Sequence, residues 1–380
     1  MKNFLILLVP LTVLLFSLTG CRYTNGVDDY YFIVSLGLDK ADDDLIKLSV
    51  QVSSTSQEDS SSSSSSTQSN NYEIYSVEAK SITEGLTILN NYLNKSTNIS
   101  HCSAIVISEE LAINGVKKYI NTLSNNTELR FNSQVIISSG SAFDVLDNVS
   151  SSGEVFSARL FDYIENTTDY TGFTIDCPFG NFFQAIDSNY YEPIAIYTTV
   201  NDGVVQTSGI AVFKNEFMVG HLDSLDSIAH LITTNELKQC TIRIDNPFDE
   251  SEKADLDLKL YKNTSTKVNI INGTPLISIN IYPEAKIRSS GSSFDYIDNE
   301  NIKILENSIN TYLENLLNDY LYLISKEYNS DIAGFKGIYQ SNFLTTEEAS
   351  NGHWDIVFQD SFFEVNVSTR VISSNLFNKQ

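Results

Sequence analysis

Two stretches in the last third of the chain leave the least choice of local structure. From Leu256 to Ile271, and again from Leu276 to Arg288, apolar and polar residues alternate. That is the period of a strand with one buried face. Between them stands Asn272-Gly273. A two-residue hairpin turn needs positive φ at both central positions, which Asn and Gly adopt at least cost. A long antiparallel hairpin is therefore predicted. A hairpin alone is marginal in water and needs a cover for its apolar face. The segment from Asp298 to about Tyr328 supplies one, with Ile302, Leu305, Ile309, Leu313, Leu316, Leu317, Tyr320 and Ile324 at helical spacing. This stripe is expected to face a sheet or another subunit, and its own sheet is favoured. A strand from Phe362 to Ile372 closes this block, 255–380.

The rest of the chain repeats the combination of sheet and helix. Phe32 to Leu38 and Leu45 to Val52 read as a hairpin around the polar turn 39–44. The serine-rich stretch 53–71 has almost no apolar residue and reads as a flexible, disordered surface loop. Ile82, Leu86, Leu89 and Leu93 then predict a helix capped by Ser81. Ala104 to Ile107 and Gln134 to Ile137 read as strands. One helix is expected over Leu111 to Leu123 and another from Ala142. The stretch from Glu154 to Ser188 reads as mainly helical, broken at Pro178. These elements make an N-terminal α/β module, 21–190. A small α+β middle module, 191–254, follows. It holds a strand over 194–200, a hairpin around Lys214-Asn215-Glu216, a short helix capped by Asp223 or Ser224, and a strand over 239–245. The fold class is α+β, in three mixed modules.

The first twenty residues read differently. Lys2 precedes an apolar run from Phe4 to Leu18, too short for a comfortable span and fit for the core of a signal peptide. It ends in Leu18-Thr19-Gly20-Cys21. That resembles the lipobox of bacterial prolipoproteins, in which the cysteine receives a lipid and becomes the first mature residue. Residues 1–20 are thus expected to be a lipoprotein signal peptide and Cys21 the lipidation site. A plain secretory signal or an uncleaved anchor, with Cys21 incidental, is the less favoured reading. Attachment through basic residues is disfavoured, because 24 Lys+Arg stand against 48 Asp+Glu, a net charge of −24. The same charge repels a phosphate backbone, so no nucleic-acid partner is expected.

Residues that could carry chemistry are few. Cys102, Cys177 and Cys240 are far apart and form no C-x-x-C pair, which favours buried thiols over a disulfide framework or a zinc site. His101 beside Cys102 suggests a Cys–His nucleophile, but neighbours along a strand point to opposite faces. A structural pair at a strand entry is preferred. His221, Asp223, Asp226 and His230 lack any recognised metal spacing and read as part of a capped, exposed helix. Asp42-Asp43-Asp44 lacks the glycine and terminal glutamate of a calcium loop. Gly334-Phe335-Lys336-Gly337 reads as a turn. No phosphate-binding loop, nucleophile elbow or metalloprotease helix is present. Neither a metal nor a cofactor is expected, and the chain is read as a non-enzyme.

Several of these runs resemble the Ger(x)C family, the lipoprotein C subunits of spore germinant receptors. Leu36-Gly37-Leu38-Asp39-Lys40 is close to the family's first strand ending, and Val50-Gln51-Val52 to the next. Thr83-Glu84-Gly85 opens a similar helix. His101 to Ala112 is similar to the H-x-x-h-h-h-h-G-E-x-h-A segment, and Glu128-Leu129-Arg130 to an acidic-x-R stop. Gly209 to Lys214, returning through Val219-Gly220-His221-Leu222, resembles the family's G-h-A-h-F-K hairpin. Asp331-Ile332-Ala333-Gly334-Phe335 resembles the D-h-x-G-F turn after the long helix, and Trp354 stands where a tryptophan commonly follows. The order of these motifs behind a lipobox carries the resemblance. Arg22-Tyr23 stand where a tryptophan usually follows the lipid cysteine.

The resemblance implies three domains, each a sheet with helices. It implies a lipid anchor at the outer surface of the inner spore membrane, and assembly with integral membrane A and B subunits, one permease-like, that sense nutrients and trigger germination. No catalysis is implied. The contact surfaces would be two hairpin turns and the exposed end of the long helix. Two other classes compete: a solute-binding lipoprotein of an importer, with a cleft between two lobes, and an anchored hydrolase, which would need a convergent polar cluster.

Overall fold

The computed structural model of the protein describes residues 30–53, 72–93, 95–148, 156–188, 190–249, 251–290, 298–341, 343 and 354–372. Residues 1–20, Cys21 and all but the first residue of the serine-rich stretch 53–71 lie outside these. Among the described residues the strands form two sheets, of nine and five strands.

The first sheet starts from the predicted N-terminal hairpin, β1 (Tyr30–Lys40) and β2 (Ile46–Ser53), with β3 (Tyr72–Ala79) added at its edge. The short β4 (Ser96–Asn98) pairs with the start of β1. Beyond β1 come β5 (Ala104–Ser108) and β6 (Gln134–Ser138), all parallel. Every residue of β5 and β6 is buried, as continuous apolar runs in a parallel sheet require.

Next comes β7 (Ile194–Asn201), parallel to β6 with Ile136 opposite Ile196. The antiparallel β8 (Val204–Lys214) and β9 (Phe217–Leu222) complete the sheet. The boundary expected at 190/191 therefore does not separate two sheets. Without β7 the buried strand β6 would present an open edge of unpaired backbone groups. The boundary at 254/255 is crossed in the same way, because β10 (Cys240–Asp245) pairs with β11 (Lys253–Ile271).

The second sheet holds the long hairpin of β11 and β12 (Thr274–Ser290), flanked by β10 on one side. On the other, β13 (Phe362–Val367) and β14 (Arg370–Ile372) run parallel to β12. Asn272 and Gly273 have φ of 52° and 85°, the positive pair foreseen for this turn. The β7–β8 turn uses the same device at Asp202 and Gly203, φ 50° and 72°.

The helices are α1 (Ile82–Tyr92), α2 (Glu109–Ile113), α3 (Lys117–Ser124), α4 (Ala142–Asp147), α5 (Phe156–Tyr170), α6 (Phe179–Ile186) and α7 (Ser224–Thr234). After them come α8 (Asn299–Tyr322), α9 (Phe335–Gln340) and α10 (Trp354–Val357). The Ser81 hydroxyl accepts from Glu84 N, and the Asp223 carboxylate from Leu225 and Asp226 N, so both predicted caps form.

The helix expected over Leu111–Leu123 is two helices. Gly115 lies at φ 102°, and Val116 N leaves the helical ladder to donate to Glu216 O at 3.0 Å. The expected break at Pro178 comes earlier. Gly172, at φ 68°, ends α5, and Pro178 is the N-cap of α6. The stripe of α8 is buried as predicted at Leu305, Ile309, Leu313, Leu317 and Tyr320. It packs on β13, β14 and α7. The helix passes into a π-helical turn over Leu323–Glu327.

Candidate functional site

The two sheets meet where the turn after α8 docks on the β8–β9 hairpin. Tyr328 lies over Gly220 and donates its hydroxyl to His221 O at 2.9 Å. The Ser330 hydroxyl donates to Phe213 O at 2.5 Å, and Lys214 Nζ donates to Asn329 O. Asp331 O accepts from Glu192 N at 3.2 Å, and Glu192 Oε2 accepts from Asn215 N at 2.6 Å. The β8–β9 hairpin, with Glu192 beside it, and the stretch Tyr328–Asp331 thus form the two halves of one joint.

Asp331 organises the second half. It is 6% exposed. Its carboxylate accepts from Phe335 N at 3.0 Å, Lys336 N at 2.6 Å and Trp354 Nε1 at 3.0 Å. Burial raises its pKa to about 6, against the opposing pull of these N–H donors. Gly334, at φ 71°, turns the chain so that α9 can start. Trp354 stacks between Tyr339 and Phe358, with ring centroids 5.2 and 5.7 Å away.

The N-terminal motif is also a joint. Asp39 is 7% exposed. It accepts from Ala142 N at 2.6 Å, Phe143 N at 3.0 Å and the Ser141 hydroxyl at 3.2 Å, which fixes the first turn of α4 over β1. A carboxylate on the unpaired N–H groups of a helix start is favoured by hydrogen bonding and by the helix dipole. At Gly37 an added Cβ would press on Leu146 Cδ1 at 3.3 Å. Lys40 pairs with Glu110 at 2.9 Å on the surface.

The residues weighed for catalysis do not converge. Cys102 is buried and its thiol donates to Ala104 O at 3.3 Å, while His101 is exposed and stacks on Phe32 at 4.6 Å. Burial pushes the Cys102 thiol up to about 12, the reverse of what a nucleophile needs. His221 stacks on Tyr197 at 4.2 Å. His230 is not on an exposed helix face as expected: it is 1% exposed, with Nδ1 2.8 Å from the Tyr320 hydroxyl. The helix carrying it is covered by α8. Cys102, Cys177 and Cys240 are all free and buried. Among the described residues, no three His, Cys, Asp or Glu side chains lie close enough to hold a metal ion. No helix among them is long and apolar enough to cross a membrane.

The comparisons with known proteins decide what these joints belong to. The family model of the spore germination protein N-terminal domain matches residues 24–200, and that of the spore germination B3/GerAC-like C-terminal domain matches residues 208–375. The chain belongs to the Ger(x)C family. This is the family of germinant-receptor C subunits.

Among relatives of this family member, the putative spore germination protein YfkR of Bacillus subtilis (strain 168) is 23% identical over 351 residues, 90% of each chain. Spore germination protein KC of the same organism is 20% identical over 375 residues, 93% of this chain and 91% of that one. The crystal structure of the GerBC protein shares the fold at a TM-score of 0.60 and 18% identity, covering 89% of this chain and 97% of that one. Three of the motifs that marked the family in the sequence supply joint residues in the fold: Asp39, Phe213 with Lys214, and Asp331. Sequence reasoning missed Glu192 and Tyr328 as joint partners, since neither lies in a motif.

Proposed function

We propose that this protein is a non-catalytic, lipid-anchored C subunit of a spore germinant receptor, held by a lipid on Cys21 after removal of residues 1–20. It assembles with the receptor's integral membrane A and B subunits at the outer surface of the inner spore membrane. There the complex senses nutrients and triggers germination.

One observation carries the reading. The family's motifs run in order along the chain, and in the fold those at Asp39, Phe213 and Asp331 hold elements together instead of meeting around a reacting atom. Side chains spent on caps and joints suit a rigid body that docks. A lipid anchor then raises the local concentration for weak contacts to partner loops. Two acyl chains suffice for stable anchoring without a spanning helix. The tip of the β11–β12 hairpin is a candidate contact, since Ile270 and Ile271 are exposed there.

The test is germination of spores carrying Cys21→Ala, scored with nutrient germinants and with a receptor-independent trigger, alongside fractionation. Release of the protein from the membrane with loss of the nutrient response alone is expected. A normal nutrient response with the protein present and released would sink the anchored-subunit reading.

A further inference from the structure

The chain enters the first sheet at the end where β1 begins. Tyr30 stands nine residues after Cys21, and nine extended residues reach about 30 Å at most. We propose that this end of the sheet is the face the protein rests on the bilayer, with aromatic side chains seated in the headgroup layer. The inference rests on the lipid anchor proposed at Cys21.

The topology gathers the residues. β2 ends and β3 begins beside the start of β1, since Val52 lies opposite Ile33 and Ser53 opposite Tyr72. β4 runs beside the first residues of β1, with Tyr30 opposite Ser96. α1 finishes at the same end: Asn90 Oδ1 accepts from Thr97 N at 2.7 Å, and Tyr92 is the last residue of the helix. The turn before β6 arrives there too. The Ser133 hydroxyl donates to Cys102 O at 2.7 Å, and the neighbouring His101 stacks on Phe32. Tyr30, Tyr72, Tyr92 and Phe131 thus reach one end from separate parts of the chain.

Their exposure calls for a partner. Tyr92 is 78% exposed, the most of any large hydrophobic among the described residues, and Phe131 is 55% exposed. Tyr30 and Tyr72 are half-buried. A tyrosine has an apolar ring and a hydroxyl that prefers water, which suits the boundary between headgroups and acyl chains. The charge at this end is also less one-sided than the −24 of the whole chain. Lys95 and Arg130 stand there against Glu73 and Glu128, and Lys95 Nζ lies 5.5 Å from the centre of the Tyr31 ring. Lipid phosphates can pair with both cations.

A partner subunit would also fit exposed aromatic rings, and the length of chain from Cys21 favours lipid over it. This end cannot leave the bilayer by more than about 30 Å. The tip of the β11–β12 hairpin belongs to the second sheet, which is built from residues 240–372 and carries no such constraint.

The test uses the lipidated full chain in phosphatidylcholine vesicles that hold no other protein. Tryptophan is placed at Tyr92→Trp, Phe131→Trp and, for comparison, Ile271→Trp, three exposed positions. Lipids brominated along the acyl chain quench a tryptophan that reaches the acyl boundary. The natural Trp354 is 4% exposed and supplies the background of the parent chain. A loss of emission is expected for Tyr92→Trp and Phe131→Trp, with no loss beyond the parent for Ile271→Trp. A chain that floats with the vesicles yet shows no quenching at Tyr92→Trp and Phe131→Trp overturns this proposal alone, and marks the patch as a surface for a protein. Equal quenching at all three positions overturns it as well, since the protein would then have no preferred face. A chain that does not float with the vesicles overturns both this proposal and the anchor.

Discussion

Trp354 Nε1 donates to Asp331 Oδ2 at 3.0 Å, across 23 residues and wholly inside the protein. The bond closes the C-terminal block on itself, because the same carboxylate holds the start of α9 through Phe335 and Lys336 N. Trp354→Phe keeps a ring to stack on Tyr339 and Phe358 but removes the donor. Losing one hydrogen bond to a buried charged group costs about 1.5–3 kcal/mol. Urea unfolding should show a loss of that size with an unchanged m-value. A loss below about 0.5 kcal/mol would mean that the bond contributes nothing to stability.

The joint between the sheets makes a sharper case. A Cβ on Gly220 would sit 2.5 Å from the Tyr328 ring carbons. Gly220→Ala must therefore push Tyr328 off β9 and break its bond to His221 O. Overpacking of this kind costs about 1–3 kcal/mol. Tyr328→Ala removes the obstacle, so the double variant should be less destabilised than the sum of the two single changes, by about 1 kcal/mol or more. Strict additivity in a double-mutant cycle would show that the two residues do not touch.

Much of this was legible in the sequence, and the parts that were not share a cause. Asn272-Gly273, the Ser81 and Asp223 caps and the stripe of α8 are local signals, fixed by backbone sterics and helical period. The break at Gly115 depends on a strand a hundred residues away, since Glu216 O takes the Val116 N–H and Phe217 fills the space of a Cβ at Gly115. The module boundaries at 190 and 254 follow the run of predicted elements, yet β7 and β10 pair across them. Strand partners are chosen by open edges elsewhere in the fold, which no local pattern records. His230 reads as an exposed residue of a short helix until α8 covers it with Tyr320.

The cysteines give a chemical check on the packing. Cys102, Cys177 and Cys240 are buried, and burial pushes Cys102 and Cys240 up to about 12 and Cys177 higher still. Thiolate is the reactive form, so all three should resist thiol reagents in the folded state. In a Cys21→Ala chain, an aromatic disulfide reagent at pH 8 should release almost no colour until denaturant is added, and then the equivalent of three thiols. Fast release from the folded chain would contradict the buried positions.

Asp331 and His230 make the stability depend on pH in opposite directions over one range. Burial raises the Asp331 carboxyl from 3.8 to about 6 and lowers the His230 imidazole from 6.5 to about 4. For Asp331 the folded state holds a proton that the unfolded state has released, so its contribution is full below about pH 4 and is lost as pH rises through 6. For His230 the folded state refuses a proton that the unfolded state takes, so its contribution is full above about pH 6.5 and is lost as pH falls toward 4. Each shift corresponds to a change on the order of 3 kcal/mol. In the intact chain the two nearly cancel. Asp331→Asn should therefore unmask the histidine, leaving a chain whose stability climbs more steeply from pH 4 to 6.5 than that of the parent. His230→Gln should do the reverse and flatten or invert the slope. Chemical denaturation of both variants and the parent at half-unit pH steps measures the three slopes. Parallel profiles would show that neither group titrates in the fold as its burial requires.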